Sequence, residues 1–334
     1  MQVIKSTEAD RSILILLAFA AIYLIWGTTY LAMRIAVESL PPFFLSAVRF
    51  LLAGGLTFGV LRLQGCPLPT WQNWKSAIVV GNLLMVGGNG LTIWAVKEIP
   101  SGVAALMVAT MPLWMAVFDW LFYAGPKLTS RVLVGLSLGL AGILLLVRPD
   151  QIFDQTEHLH VPSLIALLAA PIFWSLGSLH SRRMDLPSSI FMTTALHSIC
   201  GGVGLMLLSL AVGEQRELDL ANVTSRSLAA LAYLAFFGSL VALTAYSWLL
   251  RNVTASRVSS YTFVNPVIAV FLGWLVLGEQ TSWYTIGAVL LIVLAVVLIV
   301  MRPTRDKTNT MKVELAKKQD PQENCDQVSI RQKI

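Results

Sequence analysis

Several polar and aromatic side chains of this sequence lie inside long apolar runs, where each is costly unless it meets a partner or a ligand. Tyr23, Trp26, Tyr30 and Arg34 fall within about 80° of one another on a helix turning about 100° per residue. They make an aromatic stripe ending in a cation, suited to stacking on planar or cationic substrates or to capping a cavity. Arg257, Tyr261 and Asn265 recur at every fourth residue and share a second face. Pro266 follows, removing a backbone hydrogen bond and favouring a kink. Carbonyls freed there hold a polar group if they face a cavity. Met107 and Met111 offer a soft, adaptable apolar surface. Asn82 and Asn89 share a third face, among Gly81, Gly87, Gly88 and Gly90, which permit close helix approach.

Two charges lie deep in their runs. Arg49 and Asp119 read as a charge pair, and Asp119 alternatively as a proton site or as a charge exposed near the interface, with His197 a weaker proton candidate. The expected substrate-binding set is Trp26, Tyr30, Asn82, Asn89, Met107, Met111, Tyr261 and Asn265. Arg49, Asp119 and Arg257 are expected as coupling or charge-pair residues. Each also has a plainer reading: helix packing or an interfacial aromatic belt for the aromatics, inter-helix hydrogen bonding for the asparagines, and an anchor at the interface for Arg257. No phosphate-binding glycine loop with its Lys-Ser/Thr and no HExxH occurs. The expectation is a protein that is not an enzyme, with no cofactor and no metal. His158 and His160, near Asp154 and Glu157, read as an ordinary solvated loop.

The elements that must position these residues follow from composition. The chain has 334 residues, 56% of them apolar and 13% charged, against about 45–50% and about 25% in soluble proteins. A soluble domain of this size would lack the charge to cover its surface, which excludes most soluble enzymes and nucleic-acid binders. Ten apolar runs have helix-spanning character: 12–33, 41–61, 76–96, 102–123, 131–147, 162–180, 188–213, 227–250, 256–277 and 281–301. They do not alternate as barrel strands do. The first run reads as a retained helix, being too long for a signal-peptide core. Residues 302–334 read as a charged cytoplasmic tail.

Lys and Arg near the span ends orient the chain. With the N-terminus inside, Lys5, Arg11, Arg62, Lys75, Lys127, Arg131, Arg182, Arg183 and Arg251 are cytoplasmic, together with the basic tail. Arg34, Lys97, Arg148, Arg216 and Arg226 lie outside. Both termini are thus expected in the cytoplasm, and the net charge of +6 reports topology.

An internal duplication is also legible. Trp94 and Trp248 stand 154 residues apart, as do Lys97 and Arg251, Pro112 and Pro266, and Arg148-Pro149 and Arg302-Pro303. Trp26 and Trp174 stand 148 apart, as do Arg34 and Arg182. A repeat of five spans is odd, so the second copy must enter the membrane inverted, as in secondary transporters whose substrate sits between the halves. The fold class expected is an all-α membrane protein of ten transmembrane helices in two inverted five-helix repeats, 12–148 and 162–301, meeting near 149–161.

IWGTTYLAMRIA (25–36), PPFFLSAVRFLLAGGL (41–56) and the stretch 228–280, with its Asn265-Pro266 and Gly278-Glu279, resemble the EamA family of the drug/metabolite transporter superfamily. The resemblance covers about 12–303. It implies an inner-membrane exporter of metabolites, amino acids or drugs, with a central cavity formed by spans 3, 4, 8 and 9 with help from 1 and 6. Glu279, after the helix-ending Gly278, is expected to make a capping or gating contact, and Asp119 has no counterpart in the family pattern. The function expected is a secondary transporter exporting small amphipathic molecules by alternating access in the cell inner membrane. Its partners are a small-molecule substrate and the lipid bilayer, with no nucleic acid; coupling to protons and plain facilitated exchange both stay open. A facilitative uniporter, an importer or a lipid-linked flippase of the same fold is the alternative.

Overall fold

The computed structural model describes residues 8–123, 125, 130–147, 160–279 and 282–300; the expected repeat junction near 149–161 lies mostly outside these residues, and the tail 302–334 wholly so. Among them every regular element is helical. In order they are α1 (Glu8–Ala36), α2 (Pro42–Leu63), α3 (Trp71–Ala95), α4 (Ser101–Phe122), α5 (Ser130–Val147), α6 (Val161–Ser181), α7 (Ile190–Val212), α8 (Ser225–Asn252), α9 (Tyr261–Leu277) and α10 (Trp283–Val300). Short helical turns also stand at Glu214–Arg216 and Leu220–Asn222, between α7 and α8, and at Ala255–Val258, before α9. Among the described residues, α1–α4 and α6–α8 are long and apolar enough to cross a membrane, while α9 and α10 carry shorter apolar stretches.

Local chemistry sets the helix ends. Pro42 opens α2, where its missing N–H is no loss. The helix α3 begins at Trp71, ahead of the apolar run expected from residue 76. The reason is a reciprocal cap: Asn73 N donates to Thr70 Oγ1 at 3.2 Å and Thr70 N to Asn73 Oδ1 at 3.0 Å. Gly278, at φ +66°, ends α9 in the left-handed conformation that favours glycine.

Leu14, Leu17, Leu24, Leu56, Leu207, Trp274, Leu275 and Leu290 point outward and exposed. Side chains of this kind on so many helices make a surface that a lipid bilayer, not water, would cover. The helices α3 and α7 touch backbone to backbone, and a Cβ at Gly81 would lie 2.6 Å from the His197 carbonyl.

Contacts near the helix ends set neighbouring helices antiparallel. At one end Asn73 Nδ2 donates to the Asp185 carbonyl at 3.2 Å, and Arg251 to the Pro187 and Ser188 carbonyls at 2.7 and 2.6 Å. At the opposite end Arg34 Nη1 donates to the Val96 carbonyl at 2.5 Å and to that of Lys97, satisfying carbonyls left open where α3 stops. There too the Glu214 carboxylate accepts from Phe43 N at 3.0 Å, Phe44 N at 2.7 Å and Ser209 Oγ at 2.7 Å. These are called the Arg251 end and the Glu214 end below.

Three departures from straight α-helix bear on the site. Residues Asn82–Gly90 in α3 and Leu234–Ala242 in α8 wind as π-helix, a rare form that concentrates at functional positions. The two segments have equal length and stand 152 residues apart. Helix α4 is interrupted at Ala109–Thr110. Pro112 sits just inside the new segment, where it displaces no bond. Helix α9 continues through Pro266 without a break, and the interruption falls earlier, at Ser259–Ser260.

Candidate functional site: a central cavity

A cavity lies among α1, α2, α3, α4, α6, α8 and α9. Trp26, Thr29, Tyr30 and Met33 line it from α1, Arg49 and Phe50 from α2, and Gly88, Asn89 and Thr92 from α3. Val108, Ala170, Trp174, Gly238, Leu243, Tyr261 and Asn265 complete it. Its cavity volume is about 60 Å³. A drug-sized ligand needs roughly 300–1,000 Å³. In this conformation the site is therefore narrow, and a ligand enters only if the helices part.

Its wall toward the Arg251 end is aromatic. Trp26 stands 4.8 Å from Tyr261, 5.0 Å from Tyr246 and 5.6 Å from Trp174, ring centre to ring centre. Such pairs each add about 0.5–1.5 kcal/mol beyond their burial, so the layer is a firm plug. Hydrogen bonds aim it: Trp174 Nε1 donates to Tyr246 Oη at 3.1 Å, Ser178 Oγ and Tyr246 Oη lie 2.6 Å apart, and Tyr261 Oη donates to Met111 Sδ at 3.2 Å. Past the plug, Tyr23 Oη and Ser260 Oγ lie 2.6 Å apart. At that end Arg183 donates to the Tyr123 carbonyl and stacks on its ring at 4.9 Å. Burial pushes the Tyr123 phenol up, and the Arg183 charge opposes this.

Arg49 is 2% exposed. Its Nε donates to Ser239 Oγ at 2.9 Å, and its guanidinium lies 4.6 Å from the Phe50 ring centre. The π-helix of α8 shapes this contact. Ser239 Oγ donates in turn to the Leu234 carbonyl, five residues back, at 3.2 Å, and Gly238 leaves the room the guanidinium occupies. The second guanidinium nitrogen, Nη1, is buried without a hydrogen-bond partner. A cation at mid-bilayer costs about 2.5–3.5 kcal/mol by insertion scales. The expected Arg49–Asp119 pair is not formed: Arg49 turns to Ser239, while Asp119 lies toward the end of α4, its carboxyl against Gly125.

Six sequence-picked residues thus meet around one space: Trp26, Tyr30, Arg49, Asn89, Tyr261 and Asn265. The others lie elsewhere. Met107 and Met111 are fully buried in core packing, with Met111 behind the plug. Asn82 does not share a face with Asn89. The i→i+5 π-helix turn is wider, so seven residues no longer complete two turns. Asn89 reaches the cavity, while Asn82 Nδ2 bonds the Ile78 carbonyl at 2.8 Å and its Oδ1 fills the space where a side chain on Gly204 would stand. Arg257 does not continue the Tyr261–Asn265 face, because the interruption at Ser259–Ser260 leaves it exposed at the Arg251 end. His197 is buried between α7 and α3 with Nε2 unpartnered, away from the cavity.

Three contributors escaped the sequence reading of the site. Trp174 was visible only as the repeat mate of Trp26, and Tyr246 and Ser239 sit in an apolar run without periodic polar neighbours. The presence of α2 in the wall through Arg49 and Phe50 adds to the set of spans that the family resemblance implied. Glu279 makes the contact expected of it. Its carboxylate accepts from Ser101 N at 2.9 Å, Ser101 Oγ at 3.0 Å and Gly102 N at 3.4 Å, capping α4.

Known proteins resemble this chain along most of its length. The profile of the EamA-like transporter family matches residues 12–148 and 161–301. The uncharacterized inner membrane transporter YedA of Escherichia coli (strain K12) is 39% identical over 288 residues, which is 85% of this chain and 90% of that protein. The uncharacterized transporter YoaV of Bacillus subtilis (strain 168) is 26% identical over 280 residues, 83% of this chain and 94% of that one. A solved crystal structure, 22% identical, superposes with a TM-score of 0.61 over 86% of this chain and 96% of its own, a likeness of fold.

Proposed function

The chain belongs to the EamA-like transporter family, and from that premise we propose that it is a secondary transporter that exports small amphipathic metabolites, amino acids or drugs across an inner membrane by alternating access. The carrying observation is the central cavity, which combines a buried arginine, two asparagines and an aromatic wall between helices from both parts of the chain. In this reading ten spans form two inverted halves, 12–148 and 162–301, with both termini cytoplasmic, and the Arg251 end faces the cytoplasm. The plug of Trp26, Trp174, Tyr246 and Tyr261 then separates the cavity from the cytoplasm. The Glu214 and Glu279 contacts hold the far side, and transport alternates between breaking one set and the other. The π-helical segments of α3 and α8 support this, because their irregular turns are places where two central helices bend. Protons are the proposed coupling ion, with Asp119 the candidate carrier.

The test is efflux of a broad metabolite and drug panel from cells expressing the chain, compared with the Tyr261→Ala/Asn265→Ala double variant, with and without a protonophore. The expected result is efflux of one compound class, lost in the double variant although the protein reaches the membrane, and abolished by the protonophore. Efflux unchanged in the double variant removes the cavity from the mechanism. Protonophore-insensitive efflux replaces proton coupling by facilitated exchange.

A further inference from the structure

The cavity also carries a charge imprint. Among the described residues that line it, Arg49 is the only charged one, with no Asp or Glu beside it. The ion pairs found among the described residues, Lys97–Glu217 and Arg226–Glu38, lie at the Glu214 end. Arg49 is held by Ser239 and Phe50, yet Nη1 is buried and bonds no described group. Guanidinium groups present a rigid fork that matches a carboxylate bidentately. A second donor is set toward the same space. Ser46 Oγ donates to Asn89 Oδ1 at 3.1 Å, which leaves the amide N–H groups of Asn89 as its unused side. Tyr30 lines the cavity as well.

We propose that the cavity takes a small monocarboxylate, its carboxylate received by Arg49 and Asn89 and its apolar or aromatic body lying on Trp26 and Tyr261. This rests on the transporter reading and gives it a substrate class. One cation flanked by neutral amides matches a single negative charge; a phosphate dianion would call for more cations. Aromatic faces suit the body of the ligand and equally the ammonium of an amino acid, so amino acids and plain organic acids are the two sources of this chemistry.

The experiment is calorimetric titration of the purified full chain in lipid nanodiscs with four probes: phenylacetate, L-phenylalanine, phenylacetamide and L-phenylalanine methyl ester. At least one acid binds about tenfold or more tightly than its own uncharged-carbonyl analogue, the scale of a charge-assisted hydrogen bond. The preference disappears in Arg49→Gln and survives in part in Arg49→Lys. Binding of both acids indicates carboxylates generally, and binding of L-phenylalanine alone indicates amino acids. Equal binding of acid and analogue, an unchanged preference in Arg49→Gln, or no binding of either acid overturns the proposal. If Arg49→Gln does not fold, the wild-type ratio of acid to analogue decides. Tyr261/Asn265-dependent efflux of neutral or cationic compounds alone would keep the transporter and remove this substrate class.

Discussion

Glu214 offers the sharpest test of how the Glu214 end is held. Its side chain is 5% exposed and its carboxylate accepts three hydrogen bonds, two of them from the first N–H groups of α2. No turn of helix precedes those N–H groups, so without the carboxylate both lose their partner, the one on Phe43 buried and the one on Phe44 part-buried. The buried loss costs about 1–3 kcal/mol and the part-buried one less, so Glu214→Ala should destabilise the protein by about 2–4 kcal/mol. Asp219, five residues on, is the control. It also caps a short helix, accepting from Ala221 N at 3.0 Å and Asn222 Nδ2 at 2.7 Å, but it is exposed, so water replaces what Asp219→Ala removes. That loss should be about 0.5–1 kcal/mol, the low end for a cap. Denaturant or thermal unfolding of both purified variants in one detergent, followed by tryptophan fluorescence, measures the difference. Equal destabilisation of the two would refute the argument that burial of the α2 N-terminus makes Glu214 a structural clamp.

Two further outcomes follow from the packing around the plug and the π-helix. Gly204→Ala should destabilise by about 1–3 kcal/mol, because the added methyl meets the Asn82 carboxamide. Combining it with Asn82→Ala should recover part of that loss, and strict additivity in unfolding experiments would show that the two residues do not meet. Tyr246→Phe removes the acceptor of Trp174 Nε1 and the partner of Ser178. It should cost about 1–2 kcal/mol and alter efflux kinetics more than expression, measured as initial efflux rate per unit of membrane protein.

Much was legible from one dimension because a bilayer simplifies the code. Apolar runs of spanning length, punctuated by charges, announce helices, since no other open structure satisfies its backbone in lipid. Intramembrane polarity is expensive, so Trp26, Tyr30, Arg49, Asn89, Tyr261 and Asn265 stood out before any contact was known. Family membership, too, was readable from 25–36, 41–56 and 228–280. What the sequence could not supply was rotation about the helix axes and distance between them. A π-helical stretch in α3 turned Asn82 to α7 and Asn89 to the cavity, although their spacing put them on one α-helical face. An interruption at Ser259–Ser260 separated Arg257 from Tyr261. Arg49 found Ser239, 190 residues away, and not the acid nearest in expectation. Composition and periodicity determined that this chain is a bundle of membrane helices with polar groups inside. Only the tertiary structure decided which of those groups face one another, because small local changes in winding re-aim every side chain beyond them.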